Sequence, residues 1–120
     1  MHKKTLVIGA STKPERYSFK AVNMLIDNGN EVVALGAKEG DINGVDIQIG
    51  TPSFKNIHTV SMYLGPERQK NSYQYIINLK PKRIIFNPGT ENDEFMEMAT
   101  QNGIEVEQAC TLVLLSTDQF

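Results

Sequence analysis

The sequence predicts a doubly wound α/β domain, with a mainly parallel sheet of about five strands between two layers of helices. Three observations carry this reading. Short apolar runs alternate with amphipathic stretches of helical period along the whole chain. The helical stretches stop at Asn-Gly pairs or at proline. The first strand, helix and second strand together fill residues 5–35, the size of one right-handed crossover unit.

Residues 5–8 form an apolar run closed by Gly9, as in a strand buried on both faces. From Ser18 the period changes, and Phe19, Val22, Leu25 and Ile26 fall on one helical stripe that ends at Asn28-Gly29. Residues 31–35 (EVVAL) give the second strand. Asn43-Gly44 then predicts a tight turn, with a short alternating strand over 45–49.

Thr51-Pro52-Ser53 reads as the opening of a short helical turn, and residues 58–64 (HTVSMYL) as the next strand, ended by Gly65-Pro66. Residues 69–79 carry Tyr73, Ile76, Ile77 and Leu79 at helical spacing before Pro81, and 82–86 (KRIIF) form a strand running into Asn87-Pro88-Gly89. Thr90 or Asn92 caps a helix with Phe95, Met96, Met98 and Ala99 on its apolar stripe. A last strand covers 104–107, and the terminal ACTLVLLSTDQF docks as either helix or strand.

The 120 residues fit one domain spanning 1–120, and their composition, 40% hydrophobic and 22% charged, needs no staple to hold a core. A net charge of -2 argues against nucleic acid or an acidic membrane surface as partner. Cys110 is the only cysteine, so there is no internal disulfide and no metal site of the usual spacing. The apolar run after MHKK is too short for a secretion signal and nothing approaches a membrane span, so the expected location is the cytoplasm.

Ligands of doubly wound sheets lie outside the carboxyl ends of the strands, which singles out residues 9–18, 36–44, 64–68 and 87–92. In the first of these loops Gly9 permits a sharp turn, and the amides of Ala10, Ser11 and Thr12 face an anion near the start of a helix. The hydroxyls of Ser11 and Thr12 and the charges of Lys13 and Arg16 suit a phosphate. A plain strand-to-helix turn uses the same Gly, Ser and Thr, so it is the placement of the cluster that favours a ligand.

The dinucleotide fingerprint is absent, because Ser11 and Glu15 stand where GxGxxG has its second and third glycines. Lys38 occupies the place after the second strand where an NAD site has its ribose-binding carboxylate, which disfavours NAD and favours a phosphate near the ribose. The stretches Tyr63-Leu64-Gly65-Pro66 and Asn87-Pro88-Gly89-Thr90 bring an apolar wall, amides and a hydroxyl to the same edge. No catalytic constellation is legible: His2 lies at the terminus, His58 precedes a strand, Asp93 and Glu94 suit a first helical turn, and Cys110 stands in an apolar run.

The run KTLVIGASTKPERYSFKAVNMLIDNGNEVVALGAK, followed by YLGPE, KRIIFNPGTENDEFMEMATQNGIEV and the cysteine of EQAC, resembles the small single-domain CoA-binding proteins. These are Rossmann-like and related to the CoA-binding domain of the succinyl-CoA synthetase alpha subunit. The resemblance implies CoA or an acyl-CoA, with phosphates at Gly9, Ala10 and Ser11 and with Lys13, Arg16 and Ser18 nearby. It further implies Lys38 at the 3'-phosphate, Leu64, Gly65 and Pro66 along the adenine or pantetheine path, and Asn87, Pro88 and Gly89 at the pantetheine arm.

The chain departs from that family at Gly36-Ala37-Lys38, where an Asn-Pro turn is common, and at Leu64-Gly65, where an arginine pair is common. CTLVLLST replaces a Cys-Pro-Lys ending, and the partner domain and phosphohistidine of the synthetase are missing. The expectation is therefore a non-catalytic binder, with a protein partner or homodimer left open. Two alternatives stand beside it: an NADP-binding redox or sensing protein, in which Lys38 takes the 2'-phosphate, and an interaction domain whose ligand site has decayed.

Overall fold

The computed structural model describes residues 3–120, so the expectation for His2 lies outside the described residues. The strands are β1 (Thr5–Ile8), β2 (Val32–Leu35), β3 (Gly40–Ile42), β4 (Val45–Gln48), β5 (Thr59–Met62), β6 (Arg83–Phe86) and β7 (Glu105–Gln108). The helices are α1 (Tyr17–Asp27), α2 (Pro66–Gln69), α3 (Tyr73–Leu79), α4 (Asp93–Gln101) and α5 (Thr111–Ser116). One sheet runs in the order β3-β4-β2-β1-β5-β6-β7, parallel except for β3.

β1 is the pivot. Thr5 pairs with Val32 of β2 on one side and with Thr59 of β5 on the other, and all three strands run the same way. The chain leaves β1 toward β2 and later returns to its opposite flank. The strand order therefore reverses between these neighbours, and the loops beyond them diverge to leave a crevice.

Alternation along the strands sorts the core into two layers. Leu6, Ile8, Met62, Ile84 and Phe86 point to one face, where Ile76, Ile77, Phe95 and Ala99 of α3 and α4 cover them. Val7, Ala34 and Ile47 point to the other, beneath Val22 and Leu25 of α1 and Leu115 of α5. Phe95 anchors the first layer, stacked on Tyr73 at 4.5 Å between ring centroids and edge-on to Phe86 at 5.9 Å.

The sheet has seven strands, not about five. Asn43 and Gly44 both adopt positive φ, at 48° and 87°, and fold GDI back on VDIQ as a hairpin, so the turn brings in β3 as an antiparallel edge. Thr51-Pro52-Ser53 forms no helical turn. The carbonyl of Pro52 instead accepts the Tyr75 hydroxyl at 2.6 Å, a tertiary bond that local sequence does not announce.

The helix expected over 69–79 begins at Pro66 and is broken into α2 and α3 by a 3-10 turn at Lys70–Ser72. Asn92, rather than Thr90, caps α4 by accepting the Phe95 amide at 3.1 Å. The terminal segment resolves as the helix α5, beyond which Phe120 lies under the Arg83 guanidinium, 4.5 Å from ring centroid to carbon. No helix among the described residues is long and apolar enough to cross a membrane.

Asn87 joins the ends of three elements. Its Nδ2 donates to the Met62 carbonyl at 2.8 Å and to Ser61 Oγ at 3.0 Å, while its Oδ1 accepts the Thr111 amide at 2.8 Å. The residue is 1% exposed, so these bonds have no solvent substitute. We predict that Asn87→Ala lowers stability by about 2–3 kcal/mol by orphaning those groups, seen as an earlier urea midpoint with an unchanged slope.

Gly9 sits at φ +94°, where a Cβ would come within 2.9 Å of the Tyr63 carbonyl carbon. Gly9→Ala is expected to cost about 2 kcal/mol through strain and contact together, with the same unfolding measurement as the check.

Candidate functional site

The carboxyl ends of the central strands open on a cleft of about 990 Å³. Its floor is made of backbone. The amides of Gly9 and Ala10 both donate to the Leu35 carbonyl at 2.9 Å, and the Tyr63 amide donates to the Ile8 carbonyl at 2.8 Å. Gly36 fits against this loop so closely that a Cβ there would lie 2.5 Å from the Ala10 carbonyl oxygen.

The first loop is shaped locally as well. Ser11 Oγ accepts the Lys13 amide at 3.1 Å, and the Lys13 carbonyl accepts the Arg16 amide at 3.0 Å, which turns the chain into α1. Ala10 lines the cleft, but its amide is already spent on Leu35 and does not face an anion as the sequence reading expected. Ser18 lies in the first turn of α1 and is buried.

Of the residues singled out from sequence, Gly9, Ala10, Ser11, Lys13, Arg16, Ser18, Lys38, Leu64, Gly65, Pro66, Pro88 and Gly89 all line this one cleft. Asn87 does not. It lies beneath the cleft with its carboxamide committed to Ser61, Met62 and Thr111, because the ends of β5 and β6 need a buried bridge.

Tyr17 and Arg68 also reach the cleft, side chains to which the sequence reading gave no role, beside Tyr63 and Thr90, which it had placed at this edge. Tyr17 stands at the rim, 67% exposed, with Lys20 Nζ 5.4 Å from its ring centroid. Tyr63 lines the wall with its hydroxyl buried toward Ser61 and Thr111, and burial pushes the phenol up to about 12. Thr90 closes the far lip.

Arg68 alters the expected loss of cations after the strand at 58–64. Gly65 at the N-cap and Pro66 at the first helical position start α2 early, which brings Arg68 to the cleft within the first turn. The Gly-Pro-Glu-Arg run carried that signal, but it reads equally well as the end of a strand.

The electrostatics oppose those of the whole molecule. Lys13, Arg16, Lys38 and Arg68 line the cleft against Glu39 and Glu67, in a chain of net charge -2. None of the four cations is engaged in a salt bridge among the described residues. Unpaired cations around a walled crevice focus the field on a small polyanion. A second, more open depression of about 500 Å³ on the α3/α4 flank is lined by Tyr73, Glu94, Glu97, Met98 and Gln101, and its carboxylates repel such a ligand.

His58 lies at the opposite edge of the sheet, just before β5, with Nδ1 2.8 Å from Thr59 Oγ1. Burial, then the charges of Arg83, Lys3 and Lys82, hold its imidazole below the usual range. Cys110 precedes α5, partly buried.

Comparison with known proteins accords with this geometry. A crystal structure of an uncharacterized protein is 43% identical, with a TM-score of 0.98 over 100% of this chain and 99% of that one. A hypothetical protein from Pyrococcus horikoshii OT3 is 22% identical, TM-score 0.86, over 96% of this chain and 82% of that one. A protein from Thermus thermophilus is 19% identical, TM-score 0.86, over 98% and 90%. At the latter two identities the likeness is one of fold.

No curated protein matches the chain. The family described as the CoA binding domain matches residues 3–116. With a parallel sheet, a cleft at the switch point and this match over nearly its whole length, the chain belongs to the CoA-binding domain family.

Proposed function

We propose that this protein binds CoA or an acyl-CoA in the cleft without transforming it, as a carrier, a sensor or a subunit that presents the ligand to a partner. The observation that carries the reading is the set of four unpaired cations around a crevice on an acidic molecule. CoA has two charged ends to place, a pyrophosphate and a 3'-phosphate, joined to a long and weakly polar arm. The cleft has matching parts.

In this reading the pyrophosphate lies over the loop of Ser11, Lys13 and Arg16, with Arg68 facing it from α2. Lys38, exposed and unpaired after β2, takes the 3'-phosphate. The pantetheine runs along Tyr63, Leu64, Gly65 and Pro66 toward Pro88 and Gly89.

An NADP-binding role competes, because Lys38 suits a 2'-phosphate equally well. Thermal melting with CoA, acetyl-CoA, dephospho-CoA, NAD and NADP separates the readings. A ligand at about 100 times its dissociation constant adds roughly 2.7 kcal/mol of stability, a shift of several degrees for a domain of this size. The expected order is CoA and acetyl-CoA above dephospho-CoA, with NAD inert; a larger shift with NADP than with CoA rejects the proposal, and no shift with any of them favours an interaction domain.

Lys38→Ala is expected to weaken CoA binding by about 5- to 10-fold, as the loss of one charge-assisted phosphate contact, and to leave dephospho-CoA unaffected. Isothermal titration of both ligands against both proteins makes the comparison. Equal losses for the two ligands would remove Lys38 from the 3'-phosphate.

A further inference from the structure

Gln69 ends α2 with its side chain turned inward and fully buried, an unusual place for a glutamine. Its carboxamide is committed. Nε2 donates to the Leu64 carbonyl at 2.9 Å and to the Thr90 carbonyl at 2.8 Å, and Oε1 accepts from Asn92 Nδ2 at 3.0 Å. Leu64 belongs to the cleft lip after β5 and Thr90 to the lip after β6. Among the described residues no backbone hydrogen bond joins these two lips, and this side chain does.

The direction of the amide is set by its neighbours. Asn92 Oδ1 accepts the Phe95 amide as the cap of α4, so its Nδ2 must face Gln69 Oε1 and Tyr73 Oη. The Tyr73 hydroxyl in turn donates to Glu94 Oε1 at 2.9 Å. With Oε1 of Gln69 held by a donor, both Nε2 protons are aimed at the lip carbonyls. A buried network in which each donor and acceptor is used specifies one arrangement.

We propose that Gln69 is a positioning residue of the cleft, a latch that sets the separation of the Leu64 and Thr90 lips and takes its own orientation from the cap of α4. The lips are the walls between which the ligand's arm passes, so the latch governs affinity without touching the ligand. Only the identity of that ligand rests on the CoA reading.

Two variants test it in the full-length protein. Asn92→Asp keeps an oxygen for the Phe95 amide but replaces the donor facing Gln69 with an acceptor, which turns the Gln69 oxygen toward the lip carbonyls. Gln69→Glu keeps the shape and removes both Nε2 donors. Hydrogen exchange without ligand is expected to rise roughly tenfold in both lips, 64–68 and 88–91, beyond any change in β1 and β6, and CoA is expected to bind roughly tenfold more weakly, the size of one lost hydrogen bond.

Lip exchange that follows the strands in both variants overturns the latch, because the residue then serves only overall stability. Loosened lips with unchanged CoA affinity overturn its positioning role. If wild-type protein binds no CoA while both lips loosen in the variants, the latch stands and the CoA reading fails.

Discussion

The molecule depends on one backbone junction, the meeting of the first loop with the end of β2 at the Leu35 carbonyl. That oxygen accepts the amides of both Gly9 and Ala10, and the chain can make this approach only because Gly36 has no side chain to strike the Ala10 carbonyl. On the other flank of β1, Gly9 lies equally close to the backbone of Tyr63 and Leu64. Two glycines thus draw the ends of β2, β1 and β5 together. A side chain at either would push apart the strands whose ends make the floor of the cleft.

Over this rigid floor the charge is carried by loops. Lys13 and Arg16 precede α1, Lys38 follows β2, and Arg68 lies in the first turn of α2, so each arrives on a different part of the chain and is held by the element next to it. Concentrating unpaired cations costs little while water screens them, and they become effective when a ligand displaces that water. The acidic remainder of the surface keeps polyanions without a fitting shape at a distance.

The buried polar groups behind the cleft link it to the core. Asn87 ties the ends of β5 and β6 to α5, and Gln69 ties the two outer lips to the cap of α4. Both are carboxamides with no solvent access, each carrying donors and an acceptor on one planar group, which lets a single side chain bridge carbonyls and amides at once. Asn87 was expected to meet a ligand and instead supports the strands below it, a distinction that depends on which way its side chain turns.

The sequence by itself determined the alternation of strands and helices, the helix stops at Asn28-Gly29 and Asn102-Gly103, and the loops that gather at the ligand edge. These follow from local conformational preference and from the period of apolar residues, both written within a few positions of one another. It did not foresee β3 or the break between α2 and α3, and it left open the state of the last segment. It also gave no role to Arg68 and Tyr17 at the cleft and missed the buried tasks of Asn87 and Gln69. Those were decided only by tertiary structure, because each depends on a partner distant in the chain: Thr111 for Asn87, Thr90 and Asn92 for Gln69, Tyr75 for Pro52. A hydrogen bond between residues twenty or more positions apart leaves no periodic trace, and whether a polar side chain meets solvent, a ligand or a carbonyl is settled only once the sheet has brought those positions together.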